Sequence, residues 1–178
     1  MIMRLTLPIL MLLLAGCSST PVAVVSKCQS ADWYEIGRQD GAQGEPAERL
    51  EARRQECRNY YTEKAEAVYL NGRERGLVEY CTPENGLALG RRGELYYYVC
   101  PYNLEGGFTA AFKRGKRILA LERANQDLDR KISELSAGQA NRAPASVENT
   151  ELEMLKKQRD LNEREKNKLE SVIVRSEI

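Results

Sequence analysis

The chain of 178 residues has no histidine, one tryptophan and two phenylalanines. Without an imidazole there can be no histidine-dependent catalytic triad and no histidine metal ligand. The sequence also has no phosphate-binding loop, no nucleophile elbow and no glycine-rich dinucleotide motif after a strand. We therefore expect a protein that is not an enzyme and that holds no cofactor and no metal.

Charge of one sign is not in excess anywhere along the chain. The 27 basic and 26 acidic residues nearly balance, and they are interleaved. A nucleic-acid surface or a polybasic membrane patch needs a local basic excess, which is missing here. We therefore expect no nucleic-acid partner.

Residues 1–16 have the layout of a secretory signal peptide. Arg4 supplies a positive charge, residues 5–14 form an apolar stretch, and Ala15 and Gly16 are small. Crossing a bilayer takes about 20 apolar residues, and this stretch has about half that number. We predict an export signal here. The alternative is an apolar helix buried in the fold.

The end of this segment, Leu14-Ala15-Gly16-Cys17, resembles the lipobox of bacterial lipoproteins. The resemblance implies that Cys17 receives the lipid and becomes a membrane anchor. Ser18, where an aspartate would favour retention in the inner membrane, implies the outer membrane and its periplasmic face. The alternative is an ordinary secretory signal followed by a cysteine at that place by chance. If Cys17 is lipidated, residues 17–27 form a lipidated tether of about ten residues, with a reach of roughly 35 Å.

Four cysteines follow the anchor: Cys28, Cys57, Cys81 and Cys100. In an oxidising compartment an even number indicates disulfides, with three possible pairings. Pairing neighbours in the chain, Cys28 with Cys57 and Cys81 with Cys100, is the simplest of the three. Metal binding is the alternative, but neither a CxxC spacing nor a histidine supports it.

All aromatic residues lie between Trp33 and Phe112, and these four cysteines fall in nearly the same window. This distribution predicts one packed domain at residues 28–115 and a mainly α fold, with a small disulfide-stapled helical domain followed by a coiled-coil-like hairpin. The last third of the chain is rich in charge and has no aromatic residue, so it cannot build a globular core alone.

Three helices are predicted in the first part of this domain. Asp32 with Glu35 indicates the start of the first. Pro46 suits the first turn of a second helix that continues to about residue 59. Thr62 can cap a third helix, which we expect to end near residue 80 because Pro83 follows.

Residues 86–100 contain turn signals followed by consecutive tyrosines, and they predict a small hairpin or an irregular loop. Tyr96, Tyr97 and Tyr98, with Tyr102 nearby, form a candidate binding surface, because amphipathic aromatic side chains bind sugars and proteins. Neighbouring residues of a strand point to opposite faces, so at least one of the three should be buried. The alternative is that all four serve packing.

The pattern YxxGRxxG occurs at residues 34–41 and again at 69–76, with a partial copy at 112–115. A glycine inside a helix costs up to about 1 kcal/mol relative to alanine, so four of them need a compensating role. Glycines four residues apart share one helix face and allow another backbone to come close. We predict helix-on-helix packing. Anion binding by Arg38 and Arg73 is the alternative.

A coiled-coil register begins at Ile118, with apolar residues three and four apart and Asn125 at a core position. It breaks across residues 136–150, which include Gly138 and Pro144, and resumes at Leu152. We predict that residues 116–178 form two helices that fold back antiparallel around a flexible turn at 136–150. Self-association of either helix is the alternative.

Three segments together resemble a known family: Asp32-Trp33-Tyr34-Glu35-x-Gly37-x-x-Asp40-Gly41, Tyr69-x-x-Gly72-x-x-x-Gly76-Leu77-x-x-Tyr80-Cys81 and Tyr98-Val99-Cys100-Pro101. They look like the uncharacterised proteobacterial lipoproteins grouped as domain of unknown function 2799. The resemblance covers residues 28–115 and implies a Gram-negative envelope protein, without an activity or site residue to carry over. We expect either a scaffold or adaptor that binds an envelope partner through its helices, or a small module that binds a glycan or lipid through its tyrosines.

The lipobox predicts that Cys17→Ser abolishes lipidation, because a hydroxyl group does not replace the thiolate that accepts the lipid. Metabolic labelling with a fatty-acid analogue should mark the wild-type protein and leave the variant unmarked. Label on the variant would show that the anchor lies elsewhere.

Overall fold

The computed structural model describes residues 28–139 and 146–176, so the predicted signal peptide and tether lie outside the described residues. The described residues form six helices and no strand, and the predicted mainly α fold is confirmed. The helices are α1 (Trp33–Ala42), α2 (Glu48–Glu56), α3 (Glu63–Tyr80), α4 (Pro83–Arg92), α5 (Tyr102–Gln139) and α6 (Ser146–Ser176).

Two of the predicted helix starts are confirmed by their caps. The Asp32 carboxylate accepts the backbone N–H of Glu35 at 3.0 Å, and the Thr62 hydroxyl accepts that of Ala65 at 3.2 Å. The helix predicted from Pro46 is shorter than expected, since α2 begins at Glu48 and has no side-chain cap. The N–H groups of Arg49 and Leu50 bond instead to the backbone oxygens of Pro46 and Ala47 at 3.0 and 3.1 Å. The start of α2 is therefore held by the backbone alone.

The prediction for residues 86–100 was wrong in its first half. Pro83 does not merely follow a helix end but occupies the first turn of α4, whose start is capped by Thr82 through the N–H of Asn85 at 3.1 Å. Proline suits that position, because the first helical N–H has no partner inside the helix. The helix ends at Gly93, which has a φ of 72°. Residues 93–101 form an irregular loop, which was one of the two predicted structures, and they contain no hairpin.

Helices α1 and α3 run parallel and touch backbone to backbone. A Cβ on Gly37 would lie 2.0 Å from the carbonyl oxygen of Tyr69, and one on Gly41 would lie 2.3 Å from that of Arg73. The contact is reciprocal, because a Cβ on Gly72 would lie 2.0 Å from the carbonyl oxygen of Tyr34. The two copies of YxxGRxxG therefore pack against each other, and the packing interpretation of the repeat is supported.

Helices α4 and α5 repeat this arrangement. A Cβ on Gly86 would lie 2.5 Å from the carbonyl oxygen of Phe108, and one on Gly90 would lie 2.2 Å from that of Phe112. The contact is reciprocal here too, because a Cβ on Gly115 would lie 2.3 Å from the carbonyl oxygen of Leu87 in α4. Four residues before Gly115, α5 has the small residue Ala111, which is fully buried. The partial third copy of the pattern therefore belongs to a second parallel pair.

Each parallel pair is joined by a disulfide next to the amino ends of its helices. Cys28 bonds Cys57 with their Cα atoms 5.4 Å apart, and Cys81 bonds Cys100 with their Cα atoms 5.6 Å apart. These are the simplest pairs that the sequence suggests. The domain thus consists of two similar units, a first stapled pair at residues 28–80 and a second from residue 81 onward.

The core lies where the two units meet. Phe108 is fully buried and stacks on Tyr80 with ring centroids 5.2 Å apart, and Tyr96 packs on Phe108 at 4.6 Å. The remaining buried members of this cluster are Leu77, Cys81 and Leu89. The end of the first pair therefore forms one side of the second pair's core.

The last helix of the domain and the first helix of the predicted hairpin are one element. Helix α5 continues through Gly115, so no break in the chain separates the segments 28–115 and 116–178. Gly115 is in contact with α4, which explains why a helix-breaking residue does not end the helix there. Helices also include residues 136–139 and 146–150 of the predicted turn 136–150, and residues 140–145 lie outside the described part.

Helix α6 packs antiparallel to α5 in the same chain. Arg117 pairs with Glu165 at 2.7 Å, and Arg159 pairs with Asp129 at 3.4 Å. Asn125, which the sequence places at a core position of the coiled coil, accepts a hydrogen bond from the Asn162 side chain at 2.9 Å. The hairpin therefore closes on itself.

We predict that Gly72→Ala lowers stability by about 1–3 kcal/mol or more, because its methyl group meets the backbone of α1, which cannot turn aside as a side chain can. Gly106→Ala is the matched control, because a Cβ at Gly106 has no atom within 4 Å and the same change should stabilise α5 by up to about 1 kcal/mol. Urea unfolding followed by circular dichroism measures both variants. Equal effects would contradict the backbone contact.

Candidate functional site

Among the described residues, no cluster of Cys, Asp or Glu side chains could hold a metal ion. None of the described helices combines the length and apolarity needed to cross a bilayer. A shallow trough of about 740 Å³ lies along α2 and α3, with Tyr61 in its wall. Four charged groups line it: Arg54 and Glu66, which pair with each other at 2.5 Å, and Arg58 and Glu63. Basic and acidic groups are equal in number in this lining, so the trough offers no charge of one sign to a ligand.

The two arginines of the repeated pattern hold helices together. Arg38 pairs with Glu35 at 2.8 Å within α1 and with Glu79 of α3 at 2.9 Å. The Arg38 hydrogen bonds lower the pKa of the Glu35 carboxyl to about 2. Arg73 donates to the backbone oxygen of Glu45 at 2.7 Å. Arg38 is thus bound to two carboxylates and Arg73 to one backbone oxygen, while the Nε of Arg73 is buried without a hydrogen-bond partner among the described residues. These contacts support the packing interpretation of the repeat over anion binding.

A buried carboxylate that sequence reasoning missed holds α2 against the first pair. Asp40 is only 3% exposed, and its oxygens accept hydrogen bonds from Arg53 at 3.1 Å and from the Tyr69 hydroxyl at 2.8 Å. Burial, and then the Asp40 hydrogen bond, raise the pKa of Tyr69. The sequence signal was available, since Asp40 lies between Gly37 and Gly41 on the face predicted to pack. A carboxylate on such a face needs partners.

Tyr96 is the tyrosine of the 96–98 run that is buried. Its hydroxyl donates to the Glu105 carboxylate at 2.5 Å and accepts the backbone N–H of Cys100 at 3.2 Å. Burial, and then the hydrogen bond to Glu105, raise the pKa of Tyr96. Tyr96 therefore fastens the irregular segment to the start of α5.

The other large side chains of this segment face solvent. Leu95 is 74% exposed, Tyr97 55%, Tyr98 77% and Tyr102 99%, and we call these four residues the tyrosine loop. Of the four predicted binding residues, the structure thus places three at the surface and one in the core. Leu95 belongs with the exposed three, although the sequence did not single it out.

The backbone of the tyrosine loop is held in a conformation that side chains rarely adopt. Tyr98 has a φ of 55°, the left-handed region, and it is the one described residue other than glycine with a positive φ. Its ring packs on that of Tyr96 with centroids 4.9 Å apart. The bond from Cys81 to Cys100 closes the segment. Strained residues of this kind persist only where the surroundings hold them, and they cluster at functional sites.

We predict that Tyr96→Phe lowers stability by about 1–3 kcal/mol, because the partly buried Cys100 N–H loses its acceptor and Glu105 loses a donor. Tyr102→Phe is the control, since Tyr102 is almost wholly exposed and should change stability by less than about 0.5 kcal/mol. Thermal or urea unfolding distinguishes the two. Equal stability of both variants with the wild type would contradict the fastening role of the Tyr96 hydroxyl.

The comparisons with known proteins concern the two stapled pairs. Residues 32–117 match the model of a family described as Protein of unknown function (DUF2799). Comparison with curated proteins and with solved structures gives no match. The match spans both parallel pairs and ends next to Gly115, the last glycine of the second crossing. Residues 32–117 are therefore a DUF2799 domain.

Proposed function

We propose that this protein is a lipoprotein anchored through Cys17 to the periplasmic face of the outer membrane, where it serves as a structural or adaptor protein. The lipobox-like sequence and Ser18 support the anchor and its place. The two disulfide pairs fit an oxidising compartment. The absence of histidine from the sequence supports a role without catalysis.

The adaptor role is supported by the way α5 joins the stapled domain to the hairpin. The helix has 38 residues, a length of about 57 Å, and its first half is in the core through Phe108 and Ile118. Glu122 still pairs with Arg91 of α4 at 3.0 Å. Beyond Arg123 the described hydrogen bonds from α5 to other elements are with α6, so residues 124–139 and the part of α6 opposite them form an arm. A helix without a break transmits the position of the domain to the arm, as an adaptor requires.

The observation that carries the proposal is an apolar pair on the outer face of this arm. Met154 is 60% exposed and Leu161 is 47% exposed, and seven residues apart they lie on the same face of α6. The contact with α5 uses other residues, among them the buried Leu152. Beside the pair, the acidic Glu153 and Asp160 are ion-paired with Lys156 and Arg159 of the same helix. Lys157 and Arg164 leave a small excess of positive charge at its edge. Such a stripe fits a helical segment of an envelope protein with apolar and acidic residues.

We predict that changing Met154 and Leu161 together to serine removes binding of the envelope partner while the fold remains. The control changes Lys131 and Glu134 to serine, two exposed residues of α5 whose loss leaves the net charge unchanged. Crosslinking of full-length protein in intact cells, followed by purification and mass spectrometry, should give a discrete adduct for the wild type and the control only. Circular dichroism checks helicity.

The size of the adduct separates the alternatives. An adduct with the mass of two chains would assign the stripe to self-association, and an adduct with another protein would assign it to a partner. Identical adducts from the wild type and the Met154 and Leu161 variant would contradict the adaptor proposal.

A second candidate function, the binding of a glycan or a lipid through the tyrosine-rich segment, is favoured by the exposure of the tyrosine loop. Tyr96, Val99 and Cys100 make the contacts of this segment with the core, and the exposed residues are not members of that cluster.

A further inference from the structure

The tyrosine loop is the centre of the longest uncharged stretch in the described part of the chain. Residues 95–104 include no Asp, Glu, Lys or Arg, although 30% of all residues are charged. At its borders, Arg92 pairs with Glu94, and the Glu105 carboxylate accepts the Tyr96 hydroxyl. The loop can therefore leave water without desolvating an unpaired charge.

The exposed side chains have the chemistry of a membrane interface. A tyrosine ring is apolar and its hydroxyl is polar, and this combination is enriched where lipid headgroups meet hydrocarbon. Leu95 has no group that could bond a sugar hydroxyl, and its exposure is among the highest of the large apolar side chains. A leucine among tyrosines favours a lipid surface over a glycan.

The segment is also held by several contacts, so its exposed side chains are already positioned for binding. The disulfide of Cys100 closes it on one side, and the Tyr96 ring and hydroxyl fix its centre. The left-handed backbone at Tyr98 turns that side chain outward, where it is 77% exposed. A rigid loop loses little conformational entropy on binding.

We propose that the tyrosine loop inserts into the headgroup region of a phospholipid bilayer, with Leu95, Tyr97 and Tyr98 as the inserting residues. The inference rests on the proposed anchor, which brings the domain to a membrane. The loop is a second point of attachment to that membrane, and it orients the domain and its arm.

The dimensions of the chain allow both attachments. Helix α3 has 18 residues and a length of about 27 Å; Cys81 follows its last residue directly, and Cys57 lies six residues before its first. The tether between Cys17 and Cys28 has about ten residues and reaches roughly 35 Å. The anchor and the tyrosine loop can therefore touch the same bilayer surface.

The test supplies the anchor artificially, so that it does not depend on lipidation of Cys17. The mature chain from residue 18 carries an amino-terminal polyhistidine tag and is bound to phosphatidylethanolamine and phosphatidylglycerol vesicles that contain a nickel-chelating lipid. With Trp33→Phe to remove the native fluorophore, Tyr98→Trp or Tyr97→Trp reports on the loop and Met154→Trp reports on the arm as the matched control. Brominated lipids quench a tryptophan that enters the bilayer.

The expected result is a blue shift and a several-fold stronger quenching of both loop reporters than of the arm reporter. Adding Leu95→Asp should reduce that quenching severalfold. Circular dichroism and the mass of the non-reduced peptide containing Cys81 and Cys100 show that each variant is folded.

Loop reporters of folded protein that are quenched no more than the arm reporter would overturn the proposal. A blue shift on addition of cell-wall glycan, without quenching by brominated lipids, would overturn it in favour of the glycan alternative. Failure of the anchor proposal would be seen separately, as absence of fatty-acid label on the wild-type protein, and would leave the vesicle result unaffected.

Discussion

Where α1 crosses α3, the backbones of the two helices are in direct contact, because the glycines at the crossing have no side chain to keep them apart. Gly37 and Gly72 approach carbonyl oxygens of the opposite helix so closely that a Cβ would lie 2.0 Å away. This contact sets the distance and register of the pair. The disulfide of Cys28 and the buried Asp40 then hold neighbouring segments against it. The same constraint acts between α4 and α5, and the aromatic core forms where the two pairs meet.

The two units share their frame but differ in what they present to solvent. In the first, the segment between the paired helices forms α2, whose Arg53 is bound to the buried Asp40. In the second, the corresponding segment is the short irregular stretch that exposes the tyrosine loop, and its last helix continues into the arm. The features that suggest interaction are therefore both in the second unit, while the first unit stabilises the frame. The proposed membrane contact and the proposed partner contact therefore both belong to the part of the chain that follows residue 81.

Local signals in the sequence predicted much of this fold, and the misses have physical causes. Asp32 and Thr62 mark helix starts because their side chains satisfy nearby N–H groups. Pro83 was misinterpreted because proline can follow one helix and begin the next. The continuity of α5 through Gly115 depends on a contact with α4, and the residues around Gly115 give no sign of that contact in the sequence. For the candidate site, strand alternation predicted that at least one of the three consecutive tyrosines is buried. That residue is Tyr96, because its hydroxyl donates to Glu105 and accepts the N–H of Cys100, and these contacts have no local sequence signal.

The parallel backbone contact is tested most directly by nuclear Overhauser effects from the glycine α protons in the folded domain. The structure predicts contacts from Gly37 to Tyr69 and Arg73, and from Gly41 to Arg73 and Leu77, so that both helices advance in the same direction. An antiparallel crossing would instead pair Gly37 with Gly76. Contacts of that second kind, or no contact between the glycines and α3, would contradict the account.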